Sequence, residues 1–206
     1  TVREIWCAGK IVHVTGVGYE PTGGFTLDGD ASPPQAADQL RVLLRGASFC
    51  NNARLLPPAS PSDKWHIVGD PTEAALLVLA LKGRFDYPQE LRKTPRIYEL
   101  PFESVRKRMT TVHREDGRLV ASTKGAPKEI MAICNQIVLD GQIQPLTDAL
   151  RESITGVNDQ FALDALRVLA VAFRPLPEGI DYRSLEQVER DLVFVGLVGM
   201  MDPPRP

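Results

Sequence analysis

The chain has 206 residues, with 24 lysines and arginines against 26 aspartates and glutamates, and a formal net charge of -2. With 43% hydrophobic and 24% charged residues it can build a real core, which excludes disorder as its dominant state. The near-neutral balance excludes duplex nucleic acid as a bulk electrostatic partner, and no apolar run approaches the roughly 20 residues of a membrane helix.

In chain order, residues 1–18 carry Ile11, Val12 and Val14 in a strand-like run that ends at Gly16. Residues 19–35 are turn-rich, with Pro21, Gly23, Gly24, Gly29, Pro33 and Pro34. Residues 36–49 read as a helix with Leu40, Leu43, Leu44 and Ala47 on one face. Residues 54–66, with Pro57, Pro58 and Pro61, read as a loop. A second helix opens with clear punctuation: Asp70 as cap, Pro71 at the first position and Glu73 at the third. Its continuation over 74–81 is apolar all round, which predicts burial.

The pattern then turns to strands over 96–102, 108–114 and 118–123, the last two flanking the hairpin signal Asp116-Gly117. Residues 127–134 read as a short helix, and Leu150, Ile154, Val157 and Phe161 recur at helical spacing. The runs 168–173 and 193–198 are nearly continuous in apolar residues, as strands buried on both faces are. Hairpins mixed with helices predict an α+β domain, a twisted antiparallel sheet flanked by helices.

Three cysteines, Cys7, Cys50 and Cys134, are too few and too scattered for a disulfide scaffold or a zinc site, and fit a reducing compartment. His13, His66 and His113 read as surface or core residues rather than metal ligands. No Gly-x-x-x-x-Gly-Lys-Ser/Thr loop and no Gly-x-Ser-x-Gly elbow is present. Gly16-Val17-Gly18 opens no helix. Asp28-Gly29-Asp30 has the form of a paired-aspartate Mg²⁺ site, but its glycine and proline setting reads as a surface turn.

Two clusters carry more. In Lys124-Gly125-Ala126-Pro127 a lysine ends a strand and a proline opens a helix, a combination that favours an anion nearby. In Phe102-Glu103-Ser104-Val105-Arg106-Lys107-Arg108-Met109 an aromatic ring precedes several cations, as a base-stacking face beside phosphate-binding charge would. Taken singly, each reads better as something ordinary, a strand-to-helix turn with a solvated lysine or a core phenylalanine beside a solvated basic turn.

Together with Cys50-Asn51-Asn52-Ala53, Gly69-Asp70-Pro71-Thr72-Glu73-Ala74-Ala75-Leu76, Leu166-Arg167-Val168-Leu169-Ala170 and Asp202-Pro203-Pro204-Arg205, these clusters occur in one order. In that order they resemble the P-type cation-transporting ATPases of the calcium and sodium/potassium pump branch. The resemblance covers essentially the whole chain and is specifically to the cytoplasmic nucleotide-binding domain. It implies one domain over 1–206, with hinge strands at about 1–4 and 200–206 leading to a phosphorylation domain. Thr1 and the proline-rich 202–206 agree with a domain cut from something larger.

The resemblance implies that Phe102 stacks on adenine and that Glu73, with Thr72, lines the adenine side and accepts from its amino group. Lys107 would face the phosphates or the ring edge. Lys124 would lie at the pocket floor, Gly125 would allow close packing, and Arg167, beside Leu169, would reach the phosphates. The cofactors implied are ATP and, with it, Mg²⁺. The partners implied are ATP or ADP and the phosphorylation and actuator domains of the same pump, without nucleic acid or direct membrane contact. The location implied is the cytoplasmic face of an integral membrane protein. No catalytic residue is expected within the chain, since the family's Asp-Lys-Thr-Gly-Thr aspartate is absent from it, so the chain by itself should not turn over ATP.

Two departures stand out. Lys128 occupies the position after Lys-Gly-Ala-Pro where many relatives have glutamate. Ser104 stands where some have arginine, so one phosphate contact is either missing or supplied by Arg106 or Arg108. The soft-metal signature Ser-Glu-His-Pro is absent, and calcium is the first expectation for the transported ion. Two rivals remain: a scaffold domain of the same fold that has lost nucleotide, and a phosphatase or kinase built on Asp28 and Asp30.

Overall fold

The computed structural model describes residues 1–27, 30–31, 37–60 and 62–201. The first elements are β1 (Val2–Cys7), β2 (Lys10–Val14), β3 (Phe25–Leu27), β4 (Asp30–Ala31) and α1 (Ala37–Phe49). Then follow β5 (Arg54–Leu56), β6 (His66–Val68), α2 (Pro71–Lys82) and α3 (Tyr87–Lys93). The middle of the chain gives β7 (Arg96–Glu103), β8 (Arg108–Glu115), β9 (Arg118–Gly125), α4 (Pro127–Met131), β10 (Cys134–Leu139) and β11 (Gln142–Pro145). The last elements are α5 (Asp148–Leu163), β12 (Arg167–Leu176), α6 (Leu185–Val188) and β13 (Leu192–Met200).

Among the described residues, eleven strands form one sheet whose main path runs β4-β3-β2-β1-β13-β12-β9-β8-β7. Every pairing along that path is antiparallel. The α+β expectation agrees with this mostly antiparallel sheet and its helices. β13 lies at the centre and is buried along its whole length. Val195 and Val198 join the core under α1 and α2, while Phe194 and Leu197 join the core under α4 and α5. The unbroken apolar run of β13 follows from this: both its faces are covered, so no position is left for polar alternation.

The local signals act as their chemistry predicts. Asp70 Oδ1 accepts from the backbone N–H of Thr72 at 2.7 Å and of Glu73 at 3.1 Å, and starts α2. Residues 74–80 of that helix are all buried. The β8–β9 turn places Asp116 at φ +46° and Gly117 at φ +81°, the left-handed pair of a tight hairpin. All three cysteines are free and buried, and burial pushes the Cys7 thiol up to about 11 and the Cys134 thiol up to about 12.

Several segments differ from the sequence reading, among them the turn-rich 19–35, which carries the short strands β3 and β4. The run over 1–18 breaks at Ala8 and Gly9, both at positive φ, into the β1–β2 hairpin. The 54–66 loop contains β5, which pairs with β6; Leu55 packs inward against Leu77 and Val78, but strands of three residues are too short to show alternation. The helix expected over 127–134 stops at Met131, and Cys134 instead opens β10, which runs parallel to β13 and folds back as β11. α3 carries no buried residue, so no apolar period announces it. Asp28 and residues 202–206, on which the paired-aspartate and hinge readings partly rest, lie outside the described residues.

His113 is a core residue. Its ring lies 4.8 Å from Phe49, with Nδ1 3.1 Å from the Thr94 carbonyl and Nε2 3.0 Å from Thr111 Oγ1. Burial is the largest cause that pulls its pKa from 6.5 down to about 4. The native state therefore resists a proton that the unfolded chain accepts near pH 6.5. This contribution to stability is complete above that pH and is lost as the pH falls toward 4. Between pH 7 and 5 the loss should reach about 2 kcal/mol. Urea midpoints at the two pH values should show it in the parent chain, and His113→Gln should flatten it.

Candidate functional site

A cleft of about 560 Å³ opens where α2 begins, beside the edge of the sheet. Asp70, Thr72 and Glu73 come to it from the start of α2, and Glu99, Pro101 and Phe102 from β7. Met109 lies on β8, Lys124 and Gly125 on β9, and Arg167 and Leu169 on β12, while Asn52 sits in the loop after α1. These contributions are far apart in the sequence and meet only because β7, β8, β9 and β12 are consecutive in the sheet.

The polar core of the cleft is an ion pair. Lys124 Nζ donates to Glu73 Oε1 at 2.6 Å, with side-chain exposures of only 8% and 15%. Glu73 Oε2 accepts from the Asn52 backbone N–H at 2.9 Å, and Asn51 Nδ2 donates to the Glu73 carbonyl at 2.8 Å. Both carboxylate oxygens retain a lone pair for a further donor. At the mouth, Arg167 Nη1 donates to Thr72 Oγ1 at 3.1 Å. Phe102 is 63% exposed, an unusual position for a phenylalanine on a sheet edge, and Leu169 and Met109 add apolar lining.

Of the eight residues expected from the sequence, Thr72, Glu73, Phe102, Lys124, Gly125, Arg167 and Leu169 line this cleft. Lys107 is not among its lining residues. It sits in the β7–β8 turn at φ +50°, and its ammonium pairs with Glu129 Oε1 at 3.0 Å. That hydrogen bond is the largest cause holding the Glu129 carboxyl below its ordinary range. The charge beside Lys128 therefore answers Lys107, while Lys124 has Glu73. Arg106 and Arg108, expected to stand in for the arginine that Ser104 replaces, both bind Glu189 instead.

Gly125 is required by the sheet. A Cβ there would lie 2.4 Å from the Lys107 carbonyl oxygen and 2.8 Å from Arg108 Cα, both backbone atoms of the neighbouring strand and its turn. Gly125→Ala should lower stability by about 1–3 kcal/mol, read as a drop in urea midpoint.

Sequence reasoning missed a second network on the cleft wall. Asn52 Nδ2 donates to Glu99 Oε1 at 2.8 Å, and Arg96 Nη1 donates to Asn52 Oδ1 at 2.6 Å and to Glu99 Oε2 at 3.0 Å. Arg96 also reaches the Asn51 carbonyl. The Cys50-Asn51-Asn52-Ala53 motif was the only signal; Arg96 and Glu99 stand in an ordinary strand pattern. The arrangement suits a flat heteroaromatic ring with polar edges: an exposed aromatic platform, acceptors and an amide along one wall, and a guanidinium at the mouth.

Among the described residues, no three His, Cys, Asp or Glu side chains gather to hold a metal ion, and no helix is long and apolar enough to cross a membrane.

Comparison with known proteins agrees with this geometry. The family model described as "P-type ATPase, cytoplasmic domain N" matches residues 39–206. A calcium-transporting ATPase of Bacillus subtilis (strain 168) is 37% identical over 207 aligned residues, covering 100% of this chain and 23% of that protein. The calcium-transporting ATPase 1 of Lactococcus lactis is 38% identical, covering 82% of the chain and 18% of the relative. The cation-transporting ATPase pma1 of Synechocystis is 36% identical over 100% of the chain and 23% of its own length. The chain thus spans less than a quarter of these relatives. With the family model matched over most of its length, the chain belongs to the P-type cation-transporting ATPases, as their cytoplasmic domain N.

Proposed function

We propose that the cleft binds the adenine nucleotide of a P-type pump and that the domain presents the γ-phosphate to an aspartate on a neighbouring phosphorylation domain. The observation that carries this reading is the convergence of Phe102, Glu73, Lys124 and Arg167 on one cleft from four separate elements. In this reading Phe102 offers the stacking face and Glu73, backed by Lys124, accepts from the adenine amino group. Leu169 lines the ring, and Arg167 with Thr72 marks the phosphate end. Mg²⁺ would come with the phosphates, where it screens their charge.

The two ends of the described chain lie side by side, which supports the hinge reading. The Thr1 N–H group donates to the Met201 carbonyl at 2.8 Å, and Val2 pairs with Met200. A body joined through two adjacent strands can swing as a unit toward its neighbour. The names of two relatives support calcium as the ion we assign to the whole pump, and we place this domain on the cytoplasmic side of its membrane.

An amide NMR titration of the chain tests the reading. ADP and ATP should both give saturable shifts at Glu73, Phe102 and Lys124, with affinities within about a factor of three, because stacking rather than the γ-phosphate dominates. Hydrolysis by the purified chain should be negligible, since it holds no phosphorylatable Asp-Lys-Thr-Gly-Thr aspartate. A well-folded sample that gives no shifts at high ATP would instead support the nucleotide-free scaffold domain.

A further inference from the structure

The ring of Phe102 is largely exposed and, among the described residues, belongs to no buried cluster. β7 is the edge strand, and its register with β8 breaks between Leu100 and Glu103, so the ladder does not fix residues 101 and 102. Pro101 has no N–H to contribute in any case. Backbone ties Glu103 into the turn, where its carbonyl accepts from the Lys107 N–H at 2.7 Å, and one side chain spans the segment on both sides of the ring. Arg106 Nη2 donates to the Pro101 carbonyl at 2.7 Å, and Arg106 Nε donates to Glu103 Oε2 at 2.8 Å, so a single guanidinium grips the residues on both sides of Phe102.

That guanidinium is itself anchored. Arg106 Nη1 donates to both oxygens of Glu189, at 2.6 and 2.7 Å. Glu189 caps the C-terminal end of α6, is 5% exposed, and also accepts from Arg108 Nε at 2.7 Å and from Thr110 Oγ1 at 2.8 Å. Thr110 in turn meets Thr123 Oγ1 at 2.9 Å inside the sheet. The chain of contacts runs from the β8–β9 ladder through Glu189 and Arg106 to the Pro101 carbonyl on one side of the ring and the Glu103 carboxylate on the other.

We propose that Arg106 and Glu189 are positioning residues for Phe102: they hold the aromatic platform in its binding geometry before the nucleotide arrives. This rests on the adenine reading of the cleft. The forked guanidinium matters because it reaches four oxygens on three residues along fixed directions, more than the three N–H groups of an ammonium can serve. Ordering the platform in advance spares that cost at binding.

Arg106→Lys is the discriminating variant, because it keeps a positive charge beside Glu189 and removes only the fork. In the ligand-free chain, ¹⁵N order parameters at Phe102 and Glu103 should fall. ADP affinity should drop about three- to ten-fold, the scale expected for ordering one segment on binding. In a Phe102→Ala background the same change should leave ADP affinity unaltered, since there is no ring left to position. Glu189→Gln, which removes the anchor but leaves Arg106, should loosen the same two residues. A purely charge-balancing role predicts that Arg106→Lys matches the parent chain in both readouts, and that result would overturn the proposal. So would an equal loss of affinity with and without the Phe102 ring. Loosening at 102–103 in Arg106→Lys, together with a parent chain that binds no ADP, would support the clamp and overturn the nucleotide reading instead.

Discussion

Phe102→Ala should weaken ADP binding by about ten- to a hundred-fold, the span expected from losing one base–aromatic stack. The same change should leave the urea midpoint almost where it was. The ring is 63% exposed and belongs to none of the buried clusters, so folding gains little from it. Exposed substitutions of this kind usually stay within about 0.5 kcal/mol. A large loss of binding without loss of stability is the signature of a ligand platform. If stability fell with binding, the ring would be a packing residue and the cleft would need another stacking partner.

Lys124→Ala should do the opposite to stability. It strips the cation from Glu73, whose carboxylate is mostly buried and would keep only the Asn52 N–H. Leaving a buried charge without its partner costs about 3 kcal/mol or more, well beyond an average substitution. ADP binding should be lost as well. The double change Lys124→Met with Glu73→Gln removes both charges together, and should recover more than half of that stability without restoring binding. Urea denaturation of the two variants and the parent measures both the loss and the recovery. A cost below about 1 kcal/mol for Lys124→Ala would mean that water screens the pair as it does on a surface.

These two variants together separate the halves of the site. Phe102 contributes to the ligand alone. The Glu73–Lys124 pair contributes to the ligand and to the fold, because it ties the start of α2 to β9 across the cleft. The further change His113→Gln touches neither half of the site and acts on stability alone, since His113 lies in the core against Phe49.

What the amino-acid sequence determined by itself was local. The cap at Asp70, Pro71 at the helix start, the Asp116-Gly117 turn and the unbroken apolar run of β13 each rest on interactions within a few residues or on burial that composition reveals. The candidate residues, apart from Lys107, were legible for a different reason: their ordered motifs resemble a known family, and the fold then gathers them. Only the tertiary structure decided which partner each charge takes. Three consecutive cations, Arg106, Lys107 and Arg108, look equivalent as a string. Lys107, in the left-handed region, turns away to Glu129, while its two neighbours are claimed by Glu189, some 80 residues later in the chain. The same holds for Asn52, Arg96 and Glu99, and for β10, whose parallel pairing with β13 spans a long separation. Turn and cap preferences are short-range and local in the chain, whereas an ion chooses its partner by distance in space, which only the folded sheet sets.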